Sequence, residues 1–527
     1  MPYGEATAQA TSVPAPVGGW NARDSLANMA PEDAIVLDNL IPGTDKVEGR
    51  RGFSEHATPS SVTSNIDTLA TWVGPSSQVL WAFAIPSATN KRAYDCTSAG
   101  SPAANAAFTT LAHTGTRADY VSTMFVNTAG AYLYLCDALG ENGPCHYNGT
   151  TWAAPSISGV TAANLVSVAS YRYRLFFIEK NSLNLWYLDR DAISGTAKRL
   201  ALGGIAKDGG YLVACGTWTV DAGDGIDDML VAVTSEGQVL MFAGNDPSSA
   251  SAWRLAGIYK TAAPIGRKCL LRYGSSLFVI TVDGLVAVES LFQQSLAQPA
   301  VPVTDKIRRA FYEAAADWKD EPGWQAIYYP AGRYILVNVP QSSYASTATS
   351  RPMHQYVMNV QTRQWCRFTG QNARSWSLLN GALYFGGVDG VVYAADTGYS
   401  DDSTTIPYRA KQAYNYFGAR GYLKQWTLAR LTLLTDATTV QGAIYIDVDF
   451  GSQDLSPTGA LTVTSGAAWD VPDWDTVFWD QAAAISQDWQ TYGGIGHCAA
   501  LVVLVNTNGA SLSWYSTDWT YRLGGMV

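Results

Sequence analysis

Three stretches share one design: "LVAVTSEGQVLM" (residues 230–241), "LFVITVDGLVAV" (277–288) and "LYFGGVDGVVYA" (383–394). Each is an apolar run, a Glu-Gly or Asp-Gly pair at the same offset, and a second apolar run. Gly takes the positive φ that tight hairpin turns demand, so each reads as a β-hairpin. Weaker copies begin at Leu80 ("LWAFAIPS"), Leu133 ("LYLCDALG"), Leu175 ("LFFIEKNSLNLWYLD", with Asn181 and Ser182 at the turn) and Ile335 ("ILVNVPQS"). Successive starts lie 42 to 58 residues apart. A period of about 50 with several strands per unit is the signature of propeller blades. The stretches "CHYNGTTW" (145–152) and "QYVMNVQTRQWCRF" (355–368) read as second hairpins that would complete four-stranded blades. The competing architecture is an irregular β-sandwich in which similar hairpins recur without a ring.

Between the blades, "TDKIRRAFYEAAADW" (304–318) predicts a helical insertion. Ile307, Phe311, Ala314, Ala315 and Trp318 form its apolar stripe, with Thr304 or Asp305 as the cap. After Asp396, "GYSDDSTTIP" (398–407) reads as a linker and the remainder as strands of a separate domain. The expected fold is therefore all-β: a β-propeller with a helical insertion plus a β-rich C-terminal domain. The expected boundaries are an N-terminal strap at 1–70, the propeller at 71–400 and a platform or sandwich-like domain at 401–527. That last domain can also take in the N-terminal segment.

Composition agrees with a β-rich chain of more than one domain. The 527 residues are 47% hydrophobic and 12% aromatic, enough to bury a large core. Only 15% are charged, which points to surface covered by other subunits. The formal net charge is −10, and "RRGF" (50–53) and "KIRR" (306–309) are too short to be a basic patch. Tight nucleic-acid binding is disfavoured, while loose passage of DNA past an acidic wall is not. The seven cysteines, none at CxxC spacing, suggest buried free thiols. The opening residues lack a leader design, and no apolar run is long enough to span a membrane.

No constellation of reactive groups emerges. The five histidines stand apart, and no Gly-rich loop opens a helix. In "VDAGDGIDDM" (220–229), Asp224 to Asp228 fits half of a calcium loop, alongside Asp221 and Asp227. The upstream ligand positions fall on Val220 and Ala222, so a polar turn is expected and no metal. "AAWDVPDWDTVFWD" (467–480) repeats Trp-Asp every five residues, and "DWQ" follows at 488. That spacing suits one face of neither a strand nor a helix. Carboxylates beside aromatics could serve a glycan site, with Asp475 and Asp480 as the pair. The favoured reading is a loop whose Trp469, Trp474, Trp479 and Trp489 are interface anchors. No catalytic residue, cofactor or metal is expected.

Four segments, in order along the chain, carry a resemblance. They are "GGWNARDSLANMAPEDAIVLDNLIPG" with "RRGF", residues 234–288, "YVMNVQTRQWCRFTG" and "LYFGGVDGVVYAAD". Over roughly residues 18–396 the chain resembles the tail nozzle family of short-tailed bacteriophages, also called tail tubular protein B or the tail hub. The resemblance implies a propeller subunit, six copies of it around a DNA channel, below the adaptor that meets the portal. Tail fibres or spikes would attach near the same level. It implies assembly in the host cytoplasm and residence in the virion tail. On this reading the segment 18–53 is an architectural strap with short helical turns. Its Ala34, Ile35, Leu37 and Leu40 would bury against the first β units, and Gly18-Gly19 and Pro42-Gly43 would set its turns. The competing functions are a receptor- or glycan-binding tail component and a propeller hydrolase.

Overall fold

The computed structural model describes residues 8–87, 89–221, 226–293, 300–344, 352–436, 440–451, 460–461, 484–486 and 489–526. Strands take up 54% of the chain and helices 6%, so the class is all-β. The chain forms two compact units that interleave in sequence. One is Glu55–His354 with Gln371–Ala394; the other is Met1–Ser54 with Gln355–Gly370 and Ala395–Val527. The contiguous boundaries 1–70, 71–400 and 401–527 are thereby replaced, because strand pairing joins segments distant in sequence.

The first unit is a β-propeller with six blade sheets. Their first strands are Ile66–Val73, Tyr120–Asn127, Leu165–Tyr171, Leu212–Asp221, Leu270–Tyr273 and Ala373–Leu379. The hairpin of Gln325–Tyr329 with Tyr334–Pro340 stands between the fifth and sixth sheets. The first five first strands are neighbours in order, Gln325–Tyr329 links Leu270–Tyr273 to Ala373–Leu379, and Ala373–Leu379 returns to Ile66–Val73, so the ring closes. The sixth sheet takes its fourth strand, Phe53–Ala57, from ahead of the first sheet in sequence. All seven hairpin starts named above fall in second strands, from Gln78–Ser87 to Ala382–Gly387. The turn glycines Gly237 and Gly390 have φ of 78° and 89°, which a side chain would strain.

Why the second strands are apolar along their whole length follows from where they pack. In Gly130–Asp137, Leu133 and Leu135 join a core with Trp81, Phe83 and Trp152, between the first and second sheets. Tyr132, Tyr134 and Cys136 point the other way, into a core with Leu175 and Phe177 of the third sheet. Phe176 and Ile178 then face Leu230 and Leu240 of the fourth. Side chains alternate across a strand, so a blade buried on both faces needs an unbroken apolar run.

The helical insertion is a 3-10 turn, Asp305–Ile307, followed by the helix Arg308–Trp318. Ile307, Phe311, Ala314 and Ala315 are buried as the periodicity predicts. Capping by the Thr304 side chain does not occur. Thr304 is buried, and its Oγ1 accepts the Leu285 N–H at 3.1 Å instead.

In the second unit, the long strands Tyr422–Thr435 and Leu512–Met526 pair antiparallel, and Ala8–Pro14 pairs with the latter through Thr11↔Trp519. Residues 33–38 form a strand, Asp33–Asp38, rather than a helical turn. It pairs with Ile406–Gln412 through Leu37↔Ala410, and that strand pairs with Ala499–Thr507. The run "AIVL" carries no helical period, and a short apolar run does not tell helix from strand. Of the strap residues, Ala34, Leu37 and Leu40 are buried and Ile35 is half-buried against Tyr414, Cys498 and Ala500, all in this unit. The hairpin at 355–368 pairs Gln355 with Phe368 and follows Gln325–Tyr329 and Tyr334–Pro340 as third and fourth strands of one sheet, as expected of a second hairpin in a blade. The same sheet runs on through Asp38, which pairs with Arg367, and residues 355–370 are counted with this unit. Arg367 and Asp38 form a two-bond ion pair at 2.7 and 2.8 Å. The "RRGF" glycine has a steric role, since a Cβ at Gly52 would meet the Ser400 carbonyl oxygen at 1.8 Å.

Candidate functional site

The first strands of the propeller lie side by side, so the residues that open them gather at one end of the ring axis. Asp67 opens the first sheet, Arg117 and Asp119 precede the second, Arg267 and Lys268 precede the fifth, and Arg374 opens the sixth. They line a cavity of about 690 Å³. Its cations are Arg117, Lys180, Arg267, Lys268, Lys319 and Arg374; its carboxylates are Asp67, Asp119, Asp320 and Glu321.

The charges are held in place rather than left loose. Lys268 Nζ bridges Asp119 Oδ1 at 2.7 Å and donates to Thr68 Oγ1 at 3.1 Å. Burial works against the Asp119 charge, but Lys268 outweighs it and the carboxyl stays below its ordinary range. Asp67 Oδ2 accepts the Ala118 N–H at 2.8 Å and the Tyr344 hydroxyl at 3.3 Å. The Arg117 and Arg374 guanidiniums lie over the Tyr344 ring at 5.5 and 4.8 Å. Arg267 donates to the carbonyls of Ala138 at 3.0 Å and Val213 at 3.3 Å, and burial lowers its pKa. The arrangement offers recognition of charged groups.

Two groups of the propeller, the half-buried Asp67 and the buried His113, titrate in opposite senses. Burial, reinforced by Asp119, pushes Asp67 up to about 6 against the Ala118 N–H, Arg374 and Tyr344. Above that value the folded protein holds a charge that the unfolded chain solvates better. Acidification below about 6 therefore stabilises the fold until the unfolded Asp also protonates. His113 behaves oppositely. Burial pushes it down to about 4, with Asp137 raising and Lys91 lowering it, and its Nδ1 lies 3.0 Å from the Tyr120 hydroxyl. The unfolded chain takes that proton first, so acidification towards 4 destabilises the fold. Asp67→Asn should stabilise the propeller at pH 8 by about 2 kcal/mol. It should also steepen the fall in melting temperature between pH 7 and 5, because the His113 effect is then unopposed. Calorimetry across that range checks both.

Of the residues singled out from the sequence, Trp469, Trp474 and Trp479 lie outside the described residues, as do Asp475 and Asp480. Trp489 is 41% exposed, with the Arg430 guanidinium over its ring at 4.7 Å. In "VDAGDGIDDM", residues 222–225 also lie outside the described set. The flanking strands Leu212–Asp221 and Ile226–Thr234 pair antiparallel, and Asp228 Oδ1 accepts the Thr219 hydroxyl at 2.7 Å. Among the described residues no group of His, Cys, Asp and Glu is placed to hold a metal. All seven cysteines are buried and free. No helix among the described residues is long and apolar enough to cross a membrane. The axial cavity was not legible beforehand. Asp67, Arg117, Asp119, Arg267, Lys268 and Arg374 precede or open apolar strands, and Lys180, Lys319, Asp320 and Glu321 follow a strand or the helix, positions indistinguishable in sequence from ordinary solvated element ends.

No family model matches the chain, and no curated protein matches it. Among solved structures it is similar to the computationally designed Ika8 protein, at 9% identity over 65% of this chain and 99% of that one, with a TM-score of 0.35. It is similar to YCF48 bound to D1 peptide, at 8% identity over 69% and 98% of the two chains, with a TM-score of 0.36. It is also similar to Chaetomium thermophilum Raptor, at 11% identity over 66% of this chain and 30% of that one, with a TM-score of 0.39. Likenesses at these scores carry no argument about function.

Proposed function

We propose that the chain is a structural virion protein, one protomer of a sixfold tail nozzle that conducts double-stranded DNA out of a short-tailed bacteriophage. It has no catalytic role in this reading. Its partners are further copies of itself, the tail adaptor, and tail fibres or spikes. The observation that carries the reading is the use made of residues 18–53, the opening part of the resemblance. They contain no reactive constellation and are spent on buried strands and on the ties of Arg50 and Gly52. That is architecture. The formal charge of −10 agrees, because a conduit must not hold the phosphates that move through it.

Native mass spectrometry and electron microscopy of the purified full chain provide the test. A ring of six copies is expected, together with no retardation of double-stranded DNA in a gel shift at low salt. A strict monomer at high concentration that is also absent from purified tails would sink the proposal.

A further inference from the structure

Beneath the mouth, the propeller axis continues as a second cavity of about 360 Å³ that shares Arg267, Lys268 and Gln325 with it. Its charged lining is Arg267, Lys268 and Arg272, with no carboxylate. Around them stand the hydroxyl residues Thr68, Ser122, Thr123, Ser167, Ser170 and Thr217. In a chain with 44 acidic and 34 basic residues, a wall of three cations and no acid reverses the prevailing sign.

Arg267 stands at the junction of the two cavities. Its Nε and Nη1 reach only the neutral carbonyls of Ala138 and Val213, and its Nη2 has no partner among the described residues. A guanidinium taken partly out of water and hydrogen-bonded only to neutral carbonyls, with the Asp119 carboxylate near it but already bridged to Lys268, is under-compensated. Arg117 Nε, in the mouth above, is likewise buried without a hydrogen-bond partner. Lys268 is bridged to Asp119, and Arg272 Nη2 donates to Thr219 Oγ1 at 3.1 Å. A cationic ligand would face the two guanidiniums, which no carboxylate neutralises in this cavity, and an apolar one would strand the hydroxyls of Ser122, Thr123, Ser167 and Ser170. An oxyanion satisfies both, since the guanidinium fork matches its oxygens and hydroxyls supply further donors.

We propose that the axial cavity of the propeller binds a small oxyanion, a phosphate or a carboxylate, seated on Arg267 with Lys268, Arg272 and the surrounding hydroxyls as further donors.

The test is calorimetric titration of the full chain with inorganic phosphate in one arm and citrate in the other, at an ionic strength fixed with sodium chloride. Saturable binding of one anion per chain is expected in at least one arm, and the stronger arm identifies the class. Arg267→Gln should weaken it about tenfold, the loss of one charge-assisted contact. Because Arg267 also ties two loops, Arg272→Gln serves as a second variant, since Arg272 is exposed and anchors no backbone. It should weaken binding about threefold, less than a fully engaged contact. Absence of saturable binding in both arms overturns the proposal. So does unchanged affinity in a folded Arg267→Gln protein or, where that variant does not fold, in Arg272→Gln.

Discussion

Arg50→Ala should destabilise the unit built from the chain ends and Gln355–Gly370 by about 3–5 kcal/mol, the cost of leaving a buried charge without its partner. The Arg50 and Asp401 side chains are only 1% and 7% exposed, and the guanidinium grips both carboxylate oxygens at 2.7 and 2.6 Å. Its remaining donors reach Asn39 Oδ1 at 2.8 Å, the Arg51 carbonyl at 2.9 Å and the Thr369 carbonyl at 2.9 Å. One side chain therefore ties residues 39 and 51 to residues 369 and 401, which lie 319 and 351 positions from Arg50. Lysine offers a point charge without the planar fork, so Arg50→Lys should recover only a minor part of the loss. Denaturant melts of the two variants decide this. A loss below about 1 kcal/mol, the range of an exposed pair, would show that the network is not buried in solution.

Lys91→Met should be equally costly to the propeller, again about 3–5 kcal/mol. Lys91 and Asp137 are both 0% exposed at the side chain, 2.7 Å apart, and Lys91 Nζ also meets Glu141 Oε2 at 2.8 Å. Lys91 lies on Asn90–Asp95 of the first sheet and Asp137 ends Gly130–Asp137 of the second, so the pair clips neighbouring blades. Without the ammonium, Asp137 keeps only the Asn142 amide at 2.6 Å and the Leu139 N–H at 3.1 Å. The diagnostic comparison is the double variant Lys91→Met with Asp137→Leu. Replacing both charges by apolar groups removes the uncompensated carboxylate, so the double variant should be more stable than Lys91→Met alone. Additive losses in chemical denaturation would contradict this account.

Local chemistry decided the part of the fold that was legible from residues alone. The Asp-Gly and Glu-Gly turns at Gly284, Gly390 and Gly237 announce hairpins because only glycine adopts their backbone without strain. The apolar period of Ile307, Phe311 and Ala314 announces a helix in the same way. These signals lie within a few residues of one another, and tertiary context has little to add. Membership is another matter. The hairpin at Gln355–Phe368 reads as the second hairpin of a blade and does follow Tyr334–Pro340 in its sheet, but nothing in its own residues shows that the sheet runs on through Asp38 and Ile406–Gln412. The run at Ala34–Leu37 suits helix or strand, and its pairing with Ile406–Gln412 settles the matter. Arg50 becomes a buried tie only when Asp401 arrives from a distant part of the chain. Asp67, Arg267 and Lys268 are commonplace strand-end charges until ring closure gathers them about one axis. The physical reason is one of range: turns and amphipathic periods are written in neighbouring residues, whereas burial and charge compensation depend on which distant segments the closed ring and the mixed sheets bring into contact.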